Sequence, residues 1–155
     1  MPVSQQVRTE IRIAAPPSRV WRVLTDFPRY PEWNPFILEV KGVVRQDAVV
    51  PYRFEFPRGI RLWANARILR FVPEQELRWT AHFLSPSVFN GEHYFAIAQP
   101  SGSQCLFQHG EIFTGVTLPI AWPIIRAYGQ KIYGSLNEAL KRRAEMSSAD
   151  GGAPD

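Results

Sequence analysis

The chain has 155 residues, of which 45% are apolar, 13% aromatic and 21% charged, and this length fits one domain that can bury a packed core without covalent staples. Its longest apolar run, 116–125, is about half of what a membrane-spanning helix needs; the polar start 1–10 does not read as a Sec-type leader and the lone Cys105 rules out an internal disulfide, so a soluble cytoplasmic protein is expected. The balance of 18 basic against 14 acidic residues gives +4, and only Lys141-Arg142-Arg143 forms a basic run, so the stripe that nucleic-acid binding needs is absent.

Val7, Thr9, Ile11 and Ile13 alternate with Arg8, Glu10 and Arg12, which predicts a half-buried strand over Val7–Ala14. Pro16-Pro17 ends it, and 18–25 reads as a short helix with Val20 and Leu24 inward. Three prolines within 27–35 leave room for a turn or a very short second helix. From Phe36 to Thr114 the period becomes two. Six strands follow, separated by turn signals such as Pro57-Arg58-Gly59, Pro73-Glu74-Gln75 and Pro100-Ser101-Gly102-Ser103, and their short connections predict antiparallel meander pairing. Helical spacing takes over after Leu118: Ile125, Tyr128, Ile132, Leu136, Ala139 and Leu140 form one stripe, with the start placed near Trp122 because proline suits the first turn. Gly129 and Gly134 inside this helix would let it approach the sheet or a ligand closely. The polar stretch 147–155 is expected to be a disordered tail, leaving a single domain over 3–146.

This order implies an α+β architecture: a seven-stranded curved antiparallel sheet wrapped around a long C-terminal helix, with two short helices between strands 1 and 2. A curled sheet and one helix of about 24 residues, roughly 36 Å, leave space between them, so an internal cavity is expected. Several stretches carry a resemblance: Thr9-Glu10-Ile11-Arg12-Ile13-Ala14-Ala15-Pro16, then 20–27, then Tyr30-Pro31-Glu32-Trp33-Asn34-Pro35-Phe36, with Leu77-Arg78-Trp79, 91–95, 109–115 and 136–141 later. Over about residues 7–145 the chain resembles the START-like (SRPBCC, Bet v 1-like helix-grip) superfamily, in its polyketide cyclase/dehydrase and lipid transport branch. The resemblance implies the helix-grip fold and a hydrophobic cavity. It does not select a function, because the superfamily holds carriers, cyclases, oxygenase domains and chaperone activators.

Tyr52, Phe54, Leu62, Trp79, Phe83, Phe95, Phe107 and Phe113 share the inward parity of their strands, with Tyr128 and Ile132 on the helix opposite. They read either as a ligand-binding wall or as plain core. The same parity carries His93, His109 and Glu111, so two imidazoles and a carboxylate converge on an apolar interior. Buried polar groups must bond one another, water or a ligand. A self-satisfied network, an anchor for a ligand hydroxyl or carbonyl, and acid–base catalysis by His109 and Glu111 all fit that placement. No metal spacing is legible and no cofactor is expected. Tyr30, Trp33, Phe36 and Trp122 are candidates for the cavity mouth, although Tyr30 and Trp33 equally suit anchoring of the short helices. The apolar start of the last helix reads as a gate or a membrane-touching edge, and the lack of basic residues clustered beside it in sequence weighs against the membrane.

The leading expectation is binding of a small hydrophobic or amphipathic molecule, lipid- or polyketide-like. The alternatives are a cyclase or dehydratase using Glu111 and His109, or a protein-interaction module, to which Trp63 on the outer sheet face is the one pointer. Nucleic acid and an integral membrane segment are not expected, and a weak homodimer is allowed.

Overall fold

The computed structural model describes residues 3–146 (without the side chains of 100 and 101); the expected tail, 147–155, lies outside the described residues. The chain runs β1 (Ser4–Ile13), α1 (Pro17–Thr25), a 3-10 turn (Phe27–Arg29), α2 (Tyr30–Trp33), β2 (Ile37–Val40), β3 (Val49–Phe56), β4 (Ile60–Val72), β5 (Glu76–Phe83), β6 (Phe89–Ser101), β7 (Gln104–Thr114) and α3 (Leu118–Met146). The strands form one antiparallel sheet in the order β1-β7-β6-β5-β4-β3-β2. It is the expected helix-grip arrangement, with β1 closing onto β7 and the short helices lying between β1 and β2.

Alternate connections fall at opposite ends of such a meander. The β3–β4 turn, the β5–β6 turn and the β7–α3 link share one end. At the other, α3 is fastened by Lys141 Nζ to the Arg12 carbonyl (3.0 Å) and by Glu145 Oε1, which accepts from the Ala14 amide (2.9 Å). Trp21, Val23 and Leu24 of α1 are buried there, and Trp21 meets Phe71 edge-on. Asn34 is buried, and its Oδ1 accepts from the Phe36 and Ile37 amides, which aims the chain into β2.

Two sequence expectations about α3 need correction. It starts at Leu118, not near Trp122, so Pro119 occupies its first turn and Pro123 sits inside it; 29 residues make it about 44 Å long. Its buried residues are Leu118, Gly129, Tyr133, Leu136, Asn137, Ala139, Leu140 and Ala144, so Leu136, Ala139 and Leu140 stand as expected, while further towards the N-terminus Gly129 and Tyr133 take the inward positions expected for Tyr128 and Ile132. Tyr128 is therefore 44% exposed at the edge. Gly129 is the point of closest approach: a Cβ there would come within 2.9 Å of Val7 Cγ2, so the missing side chain seats the helix on β1.

Packing follows from that contact. The helix lies mainly over β1 and β7, on the side of the sheet away from β2 and β3. A row of small residues, Ala66–Ala81–Gly91, crosses the inner face of the sheet between them. The β4–β5 ladder runs only as far as Arg67↔Thr80, and beyond it Ile60–Ala66 pair with β3. Backbone amides on the β3–β4 tip are expected to exchange with deuterium faster than those of the β6–β7 ladder; equal protection would contradict this reading.

Candidate functional site

The register places Glu111 opposite His93, His109 opposite Phe95, and His93 opposite Trp79, all on the inner face. The expected convergence is present and closer than strand spacing alone requires. His93 Nε2 lies 2.6 Å from His109 Nε2, and His93 Nδ1 lies 3.5 Å from Glu111 Oε2. Two further members come from α3. Tyr133 donates its hydroxyl to Glu111 Oε2, and Asn137 Oδ1 lies 2.8 Å from His109 Nδ1. Thr9 of β1 completes the chain: its hydroxyl donates to the His109 carbonyl at 2.8 Å and accepts from Asn137 Nδ2 at 2.7 Å.

Following the protons along this chain fixes the tautomers. Thr9 spends its hydrogen on the carbonyl, so Asn137 presents Nδ2 to Thr9 and Oδ1 to His109. His109 therefore carries its proton on Nδ1 and offers a lone pair at Nε2. His93 must then donate from Nε2, which leaves the His93 Nδ1 lone pair facing Glu111. Only a proton held between Nδ1 and the carboxyl makes that last contact favourable.

Electrostatics agree with the geometry. Burial pushes the Glu111 carboxyl up to about 7, against the opposing pull of the Tyr133 hydroxyl. Burial holds His109 down at about 4, and holds His93 well below its ordinary value, with neighbouring His109 adding to the effect. Burial and then the Glu111 charge raise Tyr133 and Tyr52. The imidazoles sit in an aromatic box. His93 stacks on Phe95 and His109 at 4.8 Å each, and His109 lies 4.7 Å from both Phe95 and Tyr133. Glu111 Oε1 occupies the space over Gly91, where a Cβ would meet it at 2.1 Å, so the missing side chain at 91 is what admits the carboxylate.

Metal binding by His93, His109 and Glu111 does not fit. Two tetrahedral nitrogen ligands about 2.0–2.1 Å from zinc stand about 3.3 Å apart, and here the two Nε2 atoms share a hydrogen bond at 2.6 Å. Among the described residues no group of three or more His, Cys, Asp or Glu side chains could hold a metal ion.

The open space lies beside this chain. A cleft of about 360 Å³ separates α3 from the β2–β3 side of the sheet. Pro35, Phe36, Phe56 and Pro57 form one wall, Tyr128 and Ile132 the other, and Glu55, Arg58, Lys131 and Ser135 supply its polar groups. Phe36 stands between cleft and polar chain, with its ring 5.6 Å from Tyr133 and 6.1 Å from His93. A second space, about 10 Å³, is water-sized and lined by apolar side chains together with Tyr52 and Trp79.

Of the expected wall, Tyr128 and Ile132 line the cleft, and of the expected mouth, Phe36 does. Tyr52, Trp79, Phe95, Phe107 and Phe113 are buried and packed ring against ring, so the middle of the grip is filled. Phe54 is half-buried, between Phe36 and Tyr52. Leu62 and Phe83 correct the expectation: both have inward parity, yet they are 45% and 67% exposed because their strands run past the helix at the open end. Tyr30 and Trp33 belong to the closed end. Tyr30 is fully buried, its hydroxyl donates to the Leu24 carbonyl at 2.5 Å, and its ring contacts Trp33 at 5.2 Å, so the pair anchors the short helices. Trp122 is half-buried against the core. Trp63 lies on the outer face, 48% exposed, with Lys41 and Arg53 at 4.5 and 5.7 Å from its ring.

Thr9, Gly91, Tyr133 and Asn137 escaped sequence reasoning as site residues. The signal for two of them was present: Tyr133 and Asn137 lie four apart, and Asn137 is the polar interruption in an otherwise apolar stripe.

No curated protein matches the chain by sequence. Solved structures share the fold at low identity. The Zhui aromatase/cyclase from Streptomyces sp. R1128 has TM-score 0.78 at 16% identity, covering 98% of this chain and 100% of its own. A START superfamily protein from Mycobacterium smegmatis has 0.73 at 20%, covering 92% and 98%. Norcoclaurine synthase from Thalictrum flavum has 0.73 at 10%, covering 96% and 98%. The family described as polyketide cyclase / dehydrase and lipid transport matches residues 4–145. Nearly the whole described chain is thus accounted for, and it belongs to that family.

Proposed function

We propose that the protein binds a small hydrophobic or amphipathic molecule, lipid- or polyketide-like, in the cleft between α3 and the β2–β3 side of the sheet. The observation that carries this reading is the cleft itself. Its volume of about 360 Å³ falls within the roughly 300–1,000 Å³ of ordinary small-molecule sites. Apolar side chains from both layers face one another across it, while Arg58 and Lys131 offer cationic groups to a polar head. Behind Phe36 lies the Glu111–Tyr133 pair, which can engage a hydroxyl or carbonyl if the phenyl ring turns aside.

A second reading, general acid–base catalysis by Glu111, is favoured by one observation: the carboxyl is pushed up to about 7, where it can both give and take a proton near neutral pH. One experiment addresses both readings. The purified chain is examined by native mass spectrometry and then titrated with a long-chain fatty acid and a polycyclic phenol. Micromolar binding is expected, with at least a ten-fold loss in Ile132→Trp, which fills the cleft. Absence of any bound or binding amphiphile, or an Ile132→Trp variant that binds normally, overturns the proposal. Catalysis is supported if Glu111→Gln binds normally but no longer converts a polyketide-type substrate.

A further inference from the structure

We propose that the open end of the fold is a docking surface for a lipid bilayer carrying anionic headgroups. Topology brings the β3–β4 turn, the β5–β6 turn and the start of α3 to this end, although they lie far apart in sequence. Ile60, Phe83, Leu84, Val116, Ile120 and Ile124 project from them and are 53–82% exposed. Single exposed apolar residues are ordinary on a soluble protein, but a set gathered at one end marks a contact surface.

Leu84 is the most informative of them. Its φ is +61, in the left-handed region that leucine rarely adopts, and its side chain is 78% exposed. The turn is closed by the Ser85 amide donating to the Phe83 carbonyl at 2.8 Å, but among the described residues the Leu84 side chain is left largely uncovered, which points to a role outside the chain.

Charge identifies the partner. The three segments 56–62, 82–90 and 115–137 contain no Asp or Glu and carry Arg58, Arg61, Arg126 and Lys131. Arg58 and Lys131 border the same cleft. The neighbouring carboxylate, Glu55, is taken up by Arg61 at 2.7 Å. Apolar tips beside cations fit the boundary between acyl chains and anionic headgroups, where the tips insert and the cations meet phosphates. The basic residues that looked scattered along the sequence are assembled by the fold. A second copy docked symmetrically would set the same cations against one another. Tips carried on three separate turns also suit a deformable surface better than a rigid one. The inference does not depend on which ligand the cleft holds.

The test is flotation of the full chain with vesicles of phosphatidylcholine alone or mixed with phosphatidylglycerol. Partitioning is expected to be about ten-fold or more stronger on the anionic vesicles, since each engaged basic residue contributes about five-fold, and to fall as salt is raised. Leu84→Asn relieves the backbone, so its melting temperature should equal or exceed that of the wild type while partitioning drops several-fold. Ile120→Ser combined with Arg126→Ser, both outside the cleft lining, should reduce it further. Equal binding to the two vesicle types, or variants that bind like the wild type, overturns the proposal. So does a chain that ignores vesicles and instead dimerises or captures an acidic protein through this end.

Discussion

Thermal stability of the wild-type chain is expected to peak near pH 6.5, and Glu111→Gln is expected to remove the decline on the alkaline side. Glu111 is raised from 4.5 to about 7 in the folded chain, so its contribution is full below 4.5 and is lost as pH rises through 7. The histidines work in the opposite sense. His109 is lowered from 6.5 to about 4 and His93 is lowered well below 6.5, so their contributions are full above 6.5 and are lost as pH falls. Between 4.5 and 6.5 two gains oppose one loss and stability climbs with pH; above 6.5 only the Glu111 loss remains. A shift of this size corresponds to at most about 3 kcal/mol, shared with His93 through their contact. Glutamine is neutral at every pH: with its amide nitrogen in the place of Oε2, which faces both Tyr133 and His93, it donates to His93 Nδ1 and to the Tyr133 hydroxyl oxygen. Relative to pH 4.5, the variant should therefore gain about 5 °C over the wild type by pH 8.5, with part of that gain already present at pH 5.5, as read by circular dichroism. Parallel profiles for the two proteins would show that Glu111 does not titrate in this range.

Asn137→Leu is expected to destabilise the fold by about 3 kcal/mol, although it keeps the branched shape of the side chain and adds apolar surface. The reason is the double role of the amide, which accepts from His109 Nδ1 and donates to Thr9 Oγ1. Leucine leaves a buried N–H donor without its acceptor and removes the hydrogen bond into the Thr9 hydroxyl, and each orphaned group costs about 1–3 kcal/mol. Thr9→Val should cost less, about 1 kcal/mol, because Asn137 keeps its bond to His109. Urea unfolding of the two variants measures this, and an Asn137→Leu cost below that of Thr9→Val would contradict the proton assignments along the chain.

The order of elements, the sheet and the convergence of His93, His109 and Glu111 were legible because period-two alternation and short connections leave little freedom. The position of α3 was harder to read. Both Tyr128 and Tyr133 fit a helical stripe, and what decides between them is Gly129 against Val7, a contact between residues 122 positions apart. Seating the helix on that contact withdraws Tyr128 to the rim and brings Tyr133 and Asn137 onto the histidines. The exposure of Leu62 and Phe83 was hidden for a related reason: parity tells which way a side chain points, not whether the helix reaches far enough to cover it. The gathering of Arg58 with Lys131 was illegible for the plainest reason, since it depends on a turn and the middle of a helix meeting in space.

The short β4–β5 ladder has a mechanical consequence. With cross-strand bonding between these strands ending at Arg67↔Thr80, the β3–β4 tip is tethered through β3 and can swing as a flap hinged at that point. Phe56 at the base of that tip and Tyr128 both line the cleft, so a swing of the tip would change its width. The bonded string from Thr9 to Glu111 is held on β1, β6, β7 and α3 and is not carried along. Under the proposed function, guests of different girth would enter while the chemistry behind Phe36 keeps its alignment.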